Sequence, residues 1–267
     1  MPTGTITGIF VYPIKSCAGI SLSDVICDSL GLQNDRNWLL LDSEDKVLTQ
    51  RTASRMSLIQ PGLDASGNLT LSGPGMTPLA VPPETSNTEK RFELWQDSCV
   101  GQEQGEDANG WLSEFLKIDC RLIRSPSRFS RNSRYGKSED LETKVVYADC
   151  CPISIVSEES LLDLNKHLDE PAAMSRFRPS LVIRGLGAYG EESVTSCETS
   201  EVSLLSVKPC VRCAVVSVDQ ESGILSGAEP LKTLSKLRNR ANKVVFGQYF
   251  TARHSGRLQV GSALLAQ

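Results

Sequence analysis

At 267 residues, 40% hydrophobic and 22% charged, the chain has the make-up of an ordinary globular protein long enough to bury a large core, as one domain or two. A formal charge of -4 and a pI near 5.4 argue against general binding to nucleic acid or anionic membrane, so any anion site has to be a local cluster of cations. No segment reaches the roughly 18–20 apolar residues of a spanning helix, and Met1 to Ile14 lacks the charged and apolar regions of a signal peptide, which makes the cytoplasm the expected compartment.

Thr5 to Ile14, rich in β-branched and aromatic residues, predicts a strand; Val25 to Leu30 predicts a second, turned by Gly31. Trp38 to Leu41 and Lys46 to Gln50 flank the polar Asp42-Ser43-Glu44-Asp45 and read as a hairpin. Leu69 to Leu71 and Pro78 to Val81 form another pair around Gly73-Pro74-Gly75, and Arg91 to Trp95 one more strand. Trp111, Leu112, Phe115 and Leu116 fall at helical spacing in Asn109 to Lys117, with Asn109 the expected N-cap. The polar stretch 125–142 is expected as a boundary or mobile loop. Ser157 caps a second helix carrying Leu161, Leu164 and Leu168, and Leu181 to Ile183 is a short buried strand. Val202 to Val207 and Ala214 to Val218 read as strands on either side of Lys208-Pro209-Cys210-Val211-Arg212-Cys213. A third helix over Pro230 to Arg240 and strands over Val244 to Thr251 and Leu258 to Leu265 close the chain. The pattern is that of a β-rich α+β fold, barrel-like rather than βαβ-alternating, with its helices outside.

The nine cysteines, odd in number and scattered, do not form an extracellular disulfide framework; most are expected as small buried hydrophobes. Cys210 and Cys213 are different, three apart with Arg212 between them. A nearby guanidinium favours the thiolate, which is both nucleophile and soft metal ligand. A pair of core cysteines on a turn is the competing reading. Zinc is disfavoured because a second Cys-x-x-Cys is absent and the only histidines are His167 and His254, and a thioredoxin-type pair because no helix opens after the motif. Lys15, Arg36 and Arg51 stand at the ends of neighbouring strands, where cations can converge on a phosphate or carboxylate. Arg176-Phe177-Arg178 can orient an aromatic or anionic ligand or lie in a solvated loop, and Cys150-Cys151 reads as packing. There is no glycine-rich phosphate loop and no nucleophile elbow.

Taken in order, Tyr12-Pro13-Ile14-Lys15-Ser16-Cys17-Ala18-Gly19, Asp35-Arg36-Asn37-Trp38, Phe177-Arg178-Pro179, Cys210-Val211-Arg212-Cys213 and Phe246-Gly247-Gln248-Tyr249-Phe250 resemble the MOSC-domain family, and within it the amidoxime-reducing components. The resemblance runs from about Gly4 to Leu265. It implies a MOSC-type β-barrel over 125–267, a β-rich N-terminal extension over 1–124, and a molybdenum cofactor (molybdopterin) at their interface. Cys213 is the implied metal ligand and catalytic residue. Lys15, Ser16, Arg36, Arg178 and Tyr249 are implied to hold the pterin and its phosphate, with Arg51, Cys150, Cys151, Ser180, Cys210, Val211 and Arg212 completing the cofactor-binding set. Two departures stand out: Ser180 replaces an Asn of the family, and Cys150-Cys151 replaces a Thr-Ser pair, substituting poor thiol donors for hydroxyls.

The activity so implied is reduction of N-hydroxylated compounds such as amidoximes, hydroxylamines and N-oxides, with Arg212 moderating charge beside the metal. In the absence of flavin, haem or iron-sulfur motifs, electrons are expected from another protein, by the same resemblance a b-type cytochrome and its NADH-dependent reductase. The competing functions are a cofactor carrier or sulfuration module without turnover, and a structural protein with a vacant pocket. Residues 125–142 are read either as a lid with Arg128, Arg131 and Arg134 at its mouth or as a disordered surface loop.

Overall fold

The computed structural model describes residues 2–267 apart from 83–87, 128, 139–140 and 226, and for 134–138 and 141–142 the backbone alone. Its centre is a closed seven-stranded barrel, β-rich as expected. Around the barrel the order is Ile153–Ser157, Leu181–Arg184, Thr3–Val11, Ala263–Ala266, Ser196–Glu198, Ser203–Val211 and Lys243–His254, which pairs back with Ile153–Ser157. Closure leaves the barrel without an open edge. Ile153–Ser157 and Leu181–Arg184 run parallel, and the helix Glu158–Asn165 makes the crossover between them.

Ile6, Ile9 and Val11 of the first strand are all buried, a spacing that strict alternation forbids. A bulge at Thr7, where pairing with Leu181–Arg184 shifts register between Ile6 and Gly8, restores the inward phase. These side chains join Ile155, Leu181, Leu204, Phe250 and Leu264 in the barrel core. A second core gathers Trp38, Leu40, Met56, Leu71, Leu112, Phe115 and Leu122. It lies between the sheet Trp38–Asp42, Cys120–Arg124, Asp97–Glu103, Glu89–Leu94 and the apolar stripe of the helix Glu106–Leu116. The first barrel strand ties the two cores together. Beyond Val11 the chain leaves the barrel and docks on the second unit, with Lys15 N donating to Trp38 O at 2.8 Å and Trp38 N to Pro13 O at 3.0 Å.

Several expectations are corrected. Lys46 to Gln50 turns back beside Trp38–Asp42 as expected, with Asp42 N donating to Lys46 O and Leu48 N to Leu40 O at 2.9 Å each, but it makes a single bridge, Val47 to Leu41, and no strand; the ladder partner is Cys120–Arg124. Asn109 lies inside its helix and not at the cap, where Gly105 stands; its carboxamide instead donates to Glu103 Oε1 (2.8 Å) and accepts from Leu122 N (2.9 Å), clipping helix to sheet. The stretch read as a mobile loop holds a hairpin, Arg131–Ser138 with Leu141–Val145. Ala214–Ser217 is a 3-10 turn and not a strand, because Val216 N and Val218 N bond back to Cys213 O and Val215 O at 3.1 Å each. The expected last strand is two, Gly256–Gln259 and Ala263–Ala266. Among the described residues no helix is long and apolar enough to cross a membrane.

Phe177 and Phe246, with ring centroids 4.3 Å apart, pack between the barrel wall and the helices Glu158–Asn165 and Leu231–Leu237. Phe246 sits at a bulge in Lys243–His254, where Pro209 pairs with Gln248 but Val211 with Val245. Gly247 makes that bulge possible: its φ is +79°, and a Cβ there would stand 2.6 Å from Ile155 O. Gly247→Ala should therefore lower stability by about 1–3 kcal/mol, read as an earlier urea midpoint. An unchanged midpoint would show that the bulge is not strained in this way.

Candidate functional site

A cleft of about 590 Å³ opens where the N-terminal unit meets the barrel. Among the described residues its wall carries nine cations, Lys15, Arg36, Arg51, Arg131, Arg176, Arg178, Lys208, Arg212 and Lys243, against two carboxylates, Asp97 and Asp149. In a chain of net charge -4 this is the local cluster that an anion site requires.

Tyr12, just past the first barrel strand, organises the inner wall. The Arg36 and Arg178 guanidinium carbons lie 4.5 and 4.2 Å from the centroid of its ring. Tyr12 Oη donates to Pro179 O (3.1 Å), and Tyr12 N donates to Asp35 Oδ1 (2.7 Å), while the other oxygen of Asp35 pairs with Arg36. Ser16, Arg36, Trp95 and Arg178 on the cleft wall all have left-handed backbone, with φ of 68°, 52°, 64° and 49°. Non-glycine residues adopt that conformation at a cost and tend to be held there at functional sites.

Lys15 is buried, which pushes its ammonium pKa down; the pair with Asp149 opposes this, and Nζ also donates to Tyr147 O at 3.0 Å. Burial would raise the Asp149 carboxyl, but the Lys15 ammonium, with Arg51 and Trp95 adding to it, outweighs burial and holds the group down at about 2. Asp149 is also reached by Trp95 Nε1 at 3.3 Å. Trp95, 53% exposed, stands at the rim with the Arg51 guanidinium 4.9 Å from its ring.

Cys213 precedes the Ala214–Ser217 turn and is the one cysteine of nine that is not buried. The guanidinium that reaches its sulfur belongs to Arg51, whose Nη2 donates to Sγ at 3.2 Å. Arg212, expected beside the thiolate, instead donates Nε to Phe246 O and Nη1 to Phe177 O, both at 2.8 Å. It fastens two wall segments together. One buried guanidinium nitrogen on each of Arg176 and Arg212 has no acceptor among the described residues.

Of the sequence-derived residues, Lys15, Ser16, Arg36, Arg51, Cys150, Cys151, Arg178, Ser180, Val211, Arg212, Cys213 and Tyr249 all line this one cleft. Cys210 does not. It is fully buried beneath the wall, and burial pushes its thiol up to about 12, so the expected contact with a ligand is corrected. The Ser180 hydroxyl accepts from Ser154 N at 3.2 Å, an interaction within the barrel wall. Arg131 is no free lid cation: it pairs with Asp97 at 2.6 Å and donates to Val146 O and Ala148 O. Arg128 and the side chain of Arg134 lie outside the described residues. Arg176, read as a ligand-orienting cation or a loop residue, is on the wall, while Trp95, Asp149, Lys208 and Lys243 were not foreseen there. Trp95-Gln96 is a two-residue hairpin turn, invisible without the strand Asp97–Glu103 that pairs after it.

Residues 3–119 match the family described as the MOSC N-terminal beta barrel domain, and residues 142–264 match the MOSC domain. The chain is 35% identical to mitochondrial amidoxime-reducing component 1 of Mus musculus, over 97% of this chain and 81% of that protein. It is 32% identical to component 1 of Homo sapiens over the same shares, and 31% identical to component 2 of Rattus norvegicus over 97% and 82%.

Asp149→Asn should destabilise the fold by about 1–2 kcal/mol at neutral pH, a modest cost because this carboxylate is half-exposed while Lys15 is not. Its folded pKa lies below the ordinary value, so its contribution is complete above about pH 4 and disappears as the pH falls toward 2. Denaturant midpoints of the two proteins should converge over that window; a constant gap would remove the Lys15–Asp149 pair as its origin.

Proposed function

The chain belongs to the MOSC-domain family, in the two-part form it shares with the amidoxime-reducing components, and from this premise we propose a molybdenum-cofactor-dependent reductase of N-hydroxylated compounds with Cys213 as the protein ligand to the metal. The observation that carries the reading is the one unburied thiol opening onto a cleft of nine cations and two carboxylates. A thiolate is a soft ligand suited to molybdenum, and a pterin phosphate is an anion suited to the cluster.

The donor set fits such a group. Arg176 and Arg212 on this wall each keep one guanidinium nitrogen without an acceptor among the described residues, so the wall holds more donors than its own acceptors satisfy. Arg36 and Arg178, already oriented over Tyr12, present charge-assisted donors to a phosphate. Lys15, Ser16 and Tyr249 border the same space. The chemistry the bound cofactor supplies is removal of oxygen from nitrogen as water, with an electron pair and protons.

The remaining work falls to this chain's own side chains. Arg51 Nη2 donates to the Cys213 sulfur and keeps it aimed at the cleft. Arg212 keeps the Cys213 loop registered on Phe177 and Phe246, so the sulfur stands at a fixed place on the wall. Electrons come from a second protein, a b-type cytochrome served by an NADH-dependent reductase. The substrate is a small N-hydroxylated molecule entering past Trp95.

The test is molybdenum and pterin analysis of wild type and Cys213→Ser from a cofactor-producing host, with turnover of an aromatic amidoxime by an artificial reductant. Wild type should hold near-stoichiometric molybdenum and turn over. Cys213→Ser should lose more than the about 10–100-fold that follows loss of a group behind a metal ligand. Wild type that binds cofactor without turnover would make the chain a carrier, and a fully active variant would remove the ligand role.

A further inference from the structure

The same wall carries a second thiol chemistry. Cys150 and Cys151 follow one another in the irregular connection before the barrel strand Ile153–Ser157, and their sulfurs are 3.1 Å apart, inside the contact distance of unbonded sulfurs. Both line the cleft, and they are 9% and 5% exposed.

The two sulfurs are not equivalent. The hydrogen bond from Cys151 outweighs burial and, with Lys208 and Ser133 adding to it, lowers the Cys150 thiol to about 7. The same contact, together with burial, raises the Cys151 thiol. At neutral pH one sulfur is thus about half thiolate and the other a thiol held against it 3.1 Å away, the arrangement of an attacking and a resolving cysteine. Elsewhere burial dominates: it pushes the Cys27 and Cys197 thiols up to about 12, with the neighbouring Asp28 and Glu198 adding to it.

We propose that Cys150 and Cys151 form a peroxide-reactive dithiol that closes to a vicinal disulfide on the cleft wall. The Cys150 thiolate attacks one oxygen of a small hydroperoxide; an S–O bond forms, the O–O bond breaks, and the leaving oxygen takes up a proton and departs as water or alcohol. Cys151 sulfur then attacks the resulting sulfenic acid. The S–S bond forms, the S–O bond breaks, and the hydroxyl leaves as water with the Cys151 proton. Each sulfur loses one electron and the peroxide gains both. Adjacent Cα atoms stand about 3.8 Å apart, closer than the roughly 4.4–6.8 Å usual for a disulfide, so the closed ring is strained and a dithiol reductant reopens it. The reaction needs no cofactor in the cleft, and its failure would leave the Cys213 reading untouched.

The test uses the full reduced chain treated with hydrogen peroxide, then alkylated and mapped by mass, beside Cys151→Ser and Cys213→Ser. In wild type and in Cys213→Ser the peptide holding both cysteines should lose two hydrogens and both alkyl adducts, and regain the adducts after dithiothreitol. Cys151→Ser should stop at a Cys150 sulfenic acid that a dimedone probe captures. If that variant does not fold, phenylarsine oxide, which bridges two thiols with release of water, takes its place: reduced wild type should bind it at this peptide and peroxide-treated wild type should not. Continued alkylation of both cysteines after peroxide, absence of the arsenic adduct, or linkage of Cys150 to another cysteine would each overturn the proposal.

Discussion

Two guanidiniums share the ring of one tyrosine, and the site depends on that arrangement. Standing 4.5 and 4.2 Å from one ring centroid, the two guanidiniums are at most about 9 Å apart, where like charges repel by about 2 kcal/mol or more at the effective dielectric of a protein surface. Folding Arg36 and Arg178 onto the same Tyr12 ring therefore needs compensation. Asp35 supplies part, pairing with Arg36 while accepting from the backbone of Tyr12. The ring's negative face supplies more. Tyr12 itself can stand nowhere else, because the strand before it is locked between two barrel neighbours and its hydroxyl is tied to Pro179 O. The fold thus concentrates positive charge in a protein that is acidic as a whole, and an anionic ligand relieves the repulsion that remains.

Much of this was legible in the chain. The alternating β-branched run of the first strand, the cap at Ser157 and the apolar stripe of Glu106–Leu116 are local signals, and each led to the right element. The cations at strand ends were visible as such, since strand ends that follow hydrophobic runs converge on a rim. Illegible were the features set by distant partners. Arg212 precedes Cys213 in sequence, but its Nε and Nη1 donate to carbonyls 34 and 35 residues away, whereas Arg51 meets the Cys213 sulfur across 162 residues. Ala214–Ser217 has a strand's composition and a 3-10 turn's hydrogen bonds, because tertiary context overrides propensity in so short a run. Arg131–Ser138 lacks an apolar alternation, so nothing in it announced a hairpin.

Burial sorts the cysteines by chemistry. Cys210 and Cys213 are three residues apart, yet one lies under the wall with its proton held tightly and the other opens onto the cleft. Cys150 and Cys151 form an intermediate class, nearly buried but polarised by contact with each other. Thiols stand where the resemblance expects hydroxyls, so this wall offers sulfur chemistry at a place where only hydrogen bonding was required.

The bond between Cys213 and the metal is the central claim, and molybdenum X-ray absorption on the purified chain addresses it directly. The account predicts one more Mo–S bond in wild type than in Cys213→Ser prepared identically. An equal number of sulfur neighbours in the two proteins would contradict it.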